Sequence, residues 1–166
     1  MLSKAGADSA GLDLGVAVFG SADPEPGSEL YERARAVGSE LARKGVSVVT
    51  GGYGGVMEAA SLGARDEGGE AIGVTCTGFR GRRPNRYLTL EIEEPDLFER
   101  TRRLFALSRG FVILGGSAGT LAELAFLWAQ ARAGSLEGRI VLFDDFWGTL
   151  KNGMEDAGRF DSRCRN

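Results

Sequence analysis

The sequence predicts an α/β, Rossmann-like fold of three layers, in which helices cover both faces of a central, mostly parallel sheet. Short apolar stretches alternate along the chain with segments whose apolar residues recur at helical spacing. Two of the junctions between them are rich in glycine, GGYGG at 51–55 and GGSAG at 115–119. Of the 166 residues, 43% are apolar, which is enough to build one core that is covered on both sides. Strands that alternate with helices in this way pair in parallel through right-handed crossovers.

The first half of the chain contains two strand–helix units followed by a third strand. We predict strands at 15–20, 46–50 and 71–75, and helices at 28–44 and 56–67. The first helix ends before Gly45, since glycine is a common helix stop. The strand VSVVT is β-branched and apolar on both faces, as expected between two helix layers. The second helix should bury Met57, Ala60 and Ala64.

The second half begins with a loop rich in arginine and continues the alternation. The loop covers 77–87 (TGFRGRRPNRY). We predict strands at 88–92, 111–114 and 139–143, and helices at 95–108 and 120–132. In the first of these helices, Leu97, Leu104 and Leu107 should face the core.

We expect a single nucleotide-binding domain over 12–150, preceded by a disordered lead-in at 1–11 and followed by an atypical polar segment at 151–166. The lead-in lacks the apolar core of a signal peptide, and no segment approaches the roughly 18 apolar residues that span a bilayer. Cys76 and Cys164 lie far apart without CxxC spacing, so a disulfide framework is not indicated. These features predict a cytoplasmic protein without a membrane partner.

The composition also narrows the chemistry. A net charge of −3 and an isoelectric point near 5.2 argue against nucleic acid as a partner, because proteins that bind its phosphates usually carry a positive excess. The sequence has no histidine, which excludes Ser-His-Asp and Cys-His nucleophiles and histidine-ligated metals. We therefore expect a small-molecule ligand, no metal and no cofactor, and chemistry carried by carboxylates, arginine and backbone amides.

Both glycine-rich junctions are candidate phosphate sites. A glycine-rich turn that leads into a helix leaves backbone N–H groups unpaired beside the positive end of the helix dipole, which favours a bound phosphate. Neither junction matches GxGxxG or GxxxxGK[ST], so neither a dinucleotide fingerprint nor a Walker loop is indicated. The alternative is that these glycines only permit tight turns. The candidate nucleotide-binding residues are Gly52, Gly54, Gly55, Gly116, Ser117, Ala118, Gly119 and Thr120.

Two charged side chains are candidates for catalysis. Glu123 follows Thr120 by three residues near a predicted helix start, so it either completes an ordinary capping box or aims its carboxylate into the cleft. Arg100 shares a helix with Arg102 and Arg103, so it either belongs to a solvated basic face or clamps a phosphate or a leaving base. Spacing alone leaves both alternatives open.

Three segments together resemble the LONELY GUY family, whose members were long labelled lysine decarboxylases. They are GGYGGVMEAAS at 51–61, DLFER at 96–100 and LGGSAGTLAELA at 114–125. The resemblance extends from about 16 to 147 and implies a Rossmann-like homodimer. It also implies a phosphoribohydrolase, which hydrolyses the N-glycosidic bond of nucleoside 5′-monophosphates and releases the free base and ribose 5-phosphate.

The family patterns map onto definite positions of this chain. The pattern PGGxGTxxE falls on 115–123 and the helix pattern Met-His-x-Arg-Lys on 97–101. The resemblance thus implies that Glu123 and Arg100 are the catalytic glutamate and arginine. The chain departs from the patterns where Gly115 replaces proline, Ser117 replaces glycine, Phe98 replaces histidine and Thr101 replaces lysine.

These departures keep a second function open, a non-catalytic carrier or binding protein for a phosphorylated nucleotide or a ligand like the molybdenum cofactor. Lysine decarboxylase activity is not expected. Pyridoxal phosphate needs a Schiff-base lysine, and none of the lysines of this chain lies in a glycine-rich junction.

Two surface features lead to further predictions. The helices carry more large apolar side chains than one face of a small sheet covers, which predicts a homodimer through Phe98, Phe105, Phe126, Leu127 and Trp128. The arginine-rich loop predicts an electropositive rim that attracts an anionic ligand, formed by Arg80, Arg82, Arg83 and Arg86.

Overall fold

The computed structural model describes residues 14–79 and 81–158, together with the backbone of residues 3–4. Within this part of the chain the strands are β1 (Ser3–Lys4), β2 (Gly15–Phe19), β3 (Val48–Thr50), β4 (Ala71–Cys76), β5 (Leu90–Glu94), β6 (Ser108–Ile113) and β7 (Arg139–Leu142). The helices are α1 (Glu29–Arg43), α2 (Val56–Asp66), α3 (Leu97–Ala106), α4 (Ala118–Ala133) and α5 (Asp145–Asp156). All strand pairs are parallel, in the order β1-β5-β4-β3-β2-β6-β7. The predicted Rossmann-like α/β fold is confirmed.

Residues with short polar side chains cap the N-termini of several helices. Ser28, Asp96 and Asp144 each precede a helix, and a side-chain oxygen of each accepts a hydrogen bond from a backbone N–H of the first turn. The helix α1 is followed by Gly45, whose φ of +70° lies in the left-handed region that favours glycine. The ends of these elements are therefore encoded locally.

The sheet separates two apolar cores, one for each helix layer. On one face, α1 and α2 contribute mainly small side chains, among them the predicted Ala60 and Ala64. On the other face, α3, α4 and α5 contribute larger ones, such as Leu104, Leu124 and Trp147. Burial on both faces explains why the central strands are apolar throughout.

Several element boundaries differ from the sequence prediction. The helix α4 begins at Ala118 rather than at 120, because the junction's own Ala-Gly pair adopts the first helical turn. The strand β6 begins at Ser108, where the prediction placed the end of a helix. Leu97, predicted to face the core, is exposed in the first turn of α3, whereas Leu104 and Leu107 are buried as predicted.

Both ends of the predicted domain also need correction. Within the predicted lead-in, Ser3–Lys4 pair in parallel with β5, and the other residues of 1–11 lie outside the described part of the chain. At the other end, α5 continues past 150 into the segment predicted to be atypical. Leu150 and Met154 of α5 pack against the core beside Trp147, at the i, i+3, i+7 spacing of a helix face. Residues beyond 150 therefore contribute to the apolar core.

The order of the strands determines where a ligand fits. From β2 the chain moves outward through β3, β4 and β5, and then crosses to β6 and β7 on the other side. In open parallel sheets, ligands bind beyond the carboxyl ends of the strands where the direction of winding reverses. Here that point lies between β2 and β6, next to both glycine-rich junctions. None of the described helices is long and apolar enough to cross a bilayer.

Candidate functional site

A cleft of about 230 Å³ opens at this reversal point. The end of β2, the loop after it and residues of both glycine-rich junctions line the cleft. The charged side chains that line the cleft are Asp23, Arg82, Arg100 and Glu123. Both glycine-rich junctions therefore contribute residues to the same cleft.

The loop after β2 joins the two junctions through its backbone. The Ser21 N–H donates to the Gly115 carbonyl over 2.9 Å, and the Ser21 carbonyl accepts from the Val56 N–H at the start of α2, also over 2.9 Å. Gly55 precedes Val56 with a φ of +66°, and a Cβ on it would collide with the backbone of this loop. Main-chain hydrogen bonds thus hold the loop after β2 against both glycine-rich junctions.

A buried ion pair lies at the centre of the cleft. Arg100 Nη1 is 3.8 Å from Glu123 Oε1, and the two side chains are only 7% and 14% exposed. Arg100 Nε donates to the Val74 carbonyl over 2.8 Å, which ties the guanidinium to the end of β4. Gly51 leaves room for this group, because a Cβ there would occupy the position of Arg100 Nη2.

Burial changes the protonation of the pair. Desolvation raises the pKa of Glu123 from its ordinary 4.5 to about 7, although the charge of Arg100 acts in the opposite direction. Desolvation likewise lowers the pKa of Arg100, and the nearby Glu123 counteracts this change. Arginine nevertheless stays protonated near neutral pH. The cleft therefore holds a fixed cation beside a carboxyl group that titrates near neutrality, a common property of acid–base sites.

The N-terminus of α4 faces the same cleft. The Leu121 N–H donates to the Ser117 carbonyl, so the amides at 118–120 precede this bond and are the donors that a helix leaves unpaired at its start. The side chain of Ser117, which directly precedes the helix, makes no capping hydrogen bond. The start of α4 therefore has the features of an anion site.

This geometry removes one of the two interpretations of Glu123. Because α4 begins at Ala118, Thr120 is the third residue of the helix and Glu123 the sixth. The predicted capping box between them is therefore wrong, since its first member would have to precede the helix. Thr120 is buried instead, with its side chain over Gly116, where a Cβ would collide with it.

The predicted site residues divide into two groups. Arg100, Ser117, Gly119, Thr120 and Glu123 all line the cleft, and Gly116 and Ala118 belong to the same turn. The predicted glycines of the first junction, Gly52, Gly54 and Gly55, do not line it, and the Gly52 N–H already donates to Thr50 Oγ1. The first junction contributes Gly51 and Tyr53 in their place.

Two departures from the family patterns lie away from the cleft. Phe98 and Thr101, where the pattern has histidine and lysine, line a separate groove of about 490 Å³ between α3 and α4. The Thr101 hydroxyl donates to the Leu97 carbonyl within α3, and Phe98 is 77% exposed. Arg100, on another face of the same helix, is the residue of this segment that reaches the cleft.

Several cleft residues were missed from the sequence. They are Ser21, Asp23, Tyr53 and Phe79. Their one sequence signal is that each follows the end of a parallel strand, the position where such sheets bind ligands. Among the described residues, no cluster of acidic or cysteine side chains has the arrangement of a metal site.

Comparisons with known proteins agree with this arrangement. A sequence profile of the SLOG cluster4 family matches residues 13–149. The chain is 32% identical over 154 residues to the cytokinin riboside 5′-monophosphate phosphoribohydrolase of Mycobacterium tuberculosis, which covers 88% of this chain and 81% of that protein. Its identity to the protein of the same name from Mycobacterium marinum is 32% over 143 residues, 80% of this chain and 71% of that one.

A solved structure shares the fold as well. The molybdenum cofactor carrier protein of Chlamydomonas reinhardtii superposes with a TM-score of 0.64 at 25% identity, covering 85% of this chain and 86% of that protein. The two mycobacterial relatives confirm the LONELY GUY resemblance noted in the sequence. With a profile match that runs from just before β2 into α5, the chain belongs to the SLOG cluster4 family.

Proposed function

We propose that this protein is a nucleoside 5′-monophosphate phosphoribohydrolase, which cleaves the N-glycosidic bond to give free base and ribose 5-phosphate. The mycobacterial relatives carry the name of such an enzyme. The observation that carries the proposal is the buried Arg100–Glu123 pair beside the uncapped start of α4. These features support the proposal because a carboxylate and a guanidinium lie in the same cleft as backbone amides that can bind a phosphate.

In this proposal the 5′-phosphate binds the backbone amides at the start of α4. Ser117, Gly119 and Thr120 line the cleft there, and the helix dipole adds to the attraction. Since Glu123 lies one turn further along the same helix, the ribose of a ligand anchored in this way comes close to its carboxylate.

The reaction breaks the bond between the anomeric carbon and the base nitrogen. The bonding electrons leave with the base, and positive charge develops on the anomeric carbon, where a water molecule then adds. The ionised Glu123 stabilises this charge, and the water loses a proton as the base gains one. The charge of Arg100 opposes the rise in the pKa of Glu123 and so favours its ionised form, and Arg100 also assists the phosphate or the departing base.

The direct test is a product assay. The protein is incubated with AMP, GMP, CMP and UMP, and free base and ribose 5-phosphate are quantified. We expect both products in equal amounts from at least one nucleotide, and much slower cleavage of the matching nucleoside, since it lacks the phosphate anchor. Absence of both products from all four nucleotides would contradict the proposal.

A second function has one specific observation in its favour. The likeness to the molybdenum cofactor carrier suggests a protein that binds a phosphorylated ligand without hydrolysing it. The two functions share the phosphate site and differ in turnover. Tight binding of a nucleotide that is recovered intact after prolonged incubation would favour the carrier.

A further inference from the structure

Two arginines flank one pair of aromatic rings in the cleft. The rings of Tyr53 and Phe79 meet edge to face, with their centroids 5.7 Å apart. The guanidinium carbon of Arg100 lies 5.8 Å from the Tyr53 centroid and 5.7 Å from that of Phe79. The guanidinium carbon of Arg82 lies 5.9 Å and 5.6 Å from the same two centroids. The aromatic pair thus holds two cations at the cleft by cation–π contacts.

The two arginines differ in burial and in whether a carboxylate of the protein pairs with them. Arg100 is buried, bonded to a backbone carbonyl and paired with Glu123. Arg82 is exposed, and no carboxylate within the described part of the chain forms an ion pair with it. Within the described part of the chain, Arg82 is therefore the cleft arginine that no carboxylate pairs with.

Hydrogen bonds fix the loop that carries Arg82 to the first glycine-rich junction. The Asn85 N–H donates to the Gly52 carbonyl over 2.8 Å, and Asn85 Nδ2 donates to the Tyr53 carbonyl over 3.0 Å. The Asn85 side chain is buried, and its Oδ1 accepts from the Tyr87 N–H. Asn85 is thus a positioning residue that holds the loop, and with it Arg82, against the cleft.

The charges in the cleft indicate what Arg82 does. Asp23 and Glu123 also line the cleft, so it contains as many carboxyl groups as arginines. A phosphate dianion in this cleft is attracted most strongly by a cation with no carboxyl group beside it, whereas Arg100 lies beside Glu123. A guanidinium suits the task because its planar fork donates two parallel hydrogen bonds to phosphate oxygens.

We propose that Arg82 binds the phosphate of the ligand, opposite the amides at the start of α4. The inference rests on the proposed function only for the identity of that ligand. It assigns the missing second cation to the loop after β4, whereas the family pattern places a lysine next to the helix arginine, where this chain has Thr101.

The test compares Arg82→Gln with Arg83→Gln. Both remove one positive charge from the same exposed loop, but Arg83 does not line the cleft. Binding of AMP, ribose 5-phosphate and adenosine is measured by calorimetry at two salt concentrations. We expect Arg82→Gln to weaken both phosphorylated ligands about 10- to 100-fold, as for the loss of a charge-assisted hydrogen bond, and to leave adenosine unchanged. Arg83→Gln should have less than about a threefold effect.

Each outcome separates this inference from the proposed function. Equal losses in the two variants, or a loss that extends to adenosine, would overturn the role of Arg82. If ribose 5-phosphate binds in a manner that depends on Arg82 while AMP is never hydrolysed, the proposed function fails and this inference stands. If the unmodified protein binds neither phosphorylated ligand, both fail.

Discussion

At the scale of single residues, the Arg100–Glu123 pair is costly to stability and useful for chemistry. Taking a carboxylate and a guanidinium out of water carries a desolvation penalty that a single contact at 3.8 Å does not fully offset. The raised pKa of Glu123 expresses that penalty. Such an arrangement is typical of a functional site rather than of a structural ion pair.

The pH dependence of stability tests this raised pKa without any ligand. The folded protein binds the Glu123 proton more tightly than the unfolded chain does. The contribution of this group to stability therefore falls as pH rises from 4.5 to about 7. Arg100 stays protonated throughout this range. Its own charge state therefore adds no pH dependence to the stability of Glu123→Gln. We expect the unfolding free energy of the unmodified protein, relative to Glu123→Gln, to fall by about 1–3 kcal/mol between pH 5 and pH 8.

Denaturant titrations of both proteins at several pH values measure this difference. Glu29→Gln is the matched control, because Glu29 is 81% exposed on α1 and changes its solvation little on folding. Its difference from the unmodified protein should stay flat over the same range. A flat or rising difference for Glu123→Gln would show that the pKa of Glu123 is not raised.

At the scale of elements, the start of α4 contains two glycines with different constraints. A Cβ on Gly116 would collide with Thr120, whereas one on Gly119 would meet open space. Gly119 also lines the cleft, so this open space is where the proposed phosphate binds. Substitutions at Gly116 therefore test what the fold requires, and substitutions at Gly119 test what the ligand requires.

Alanine at each position should therefore act differently. Gly116→Ala should destabilise the protein by about 1–3 kcal/mol through overpacking against Thr120. Gly119→Ala should leave stability unchanged or raise it by up to about 1 kcal/mol, since alanine favours helix, while weakening AMP binding. Chemical unfolding and calorimetry measure the two effects. If Gly119→Ala binds AMP normally, the glycines of this junction serve only the turn.

The sequence predicted the type of this element correctly but not the residue at which the helix begins. Local patterns identified a glycine-rich turn followed by a helix, because apolar periodicity and glycine content are local signals. The exact start at Ala118 was missed, because alanine favours a helix and glycine disfavours it, so the two residues give opposite signals. That two-residue difference decided between the capping box and the cleft for Glu123.

At the scale of the whole molecule, the parallel topology brings distant residues into one cleft. The fold class and the strand–helix alternation could be predicted from the sequence, whereas Arg100 and Glu123 were singled out as catalytic residues only through the family resemblance. The contributions of Asp23 and Phe79 could not, since they depend on β2 lying between β3 and β6 and on how the loop after β4 folds back. Helix α5 was missed because its Trp147, Leu150 and Met154 stripe is interrupted by polar and glycine residues.

Fewer of the predicted interface residues remain available to form the predicted homodimer. Leu127 and Trp128, two of the residues proposed for the interface, are buried in the core of their own chain. Phe98 and Phe126 are 77% and 49% exposed and line the groove between α3 and α4. An apolar groove with exposed aromatic rims is characteristic of a surface that another protein covers.

Light scattering at micromolar concentration tests this prediction. We expect the mass of a dimer for the unmodified protein and that of a monomer for Phe98→Asp, because a charge would then be buried in the interface. Phe146→Asp, at an exposed phenylalanine of α5 outside the groove, is the matched control and should remain dimeric. A monomeric mass for the unmodified protein would contradict the prediction.

The most direct test of the central claim, a phosphoribohydrolase with Glu123 at its reacting carbon, is to measure nucleotide binding and turnover together in Glu123→Gln. Glutamine keeps the size and much of the hydrogen bonding of the side chain but removes the charge that stabilises the developing cation. The proposed phosphate site at the start of α4 consists of backbone amides, so this substitution leaves its donors in place. We predict that AMP still binds, while release of ribose 5-phosphate falls by about 10²-fold or more. Turnover that persists at the level of the unmodified protein would contradict the account.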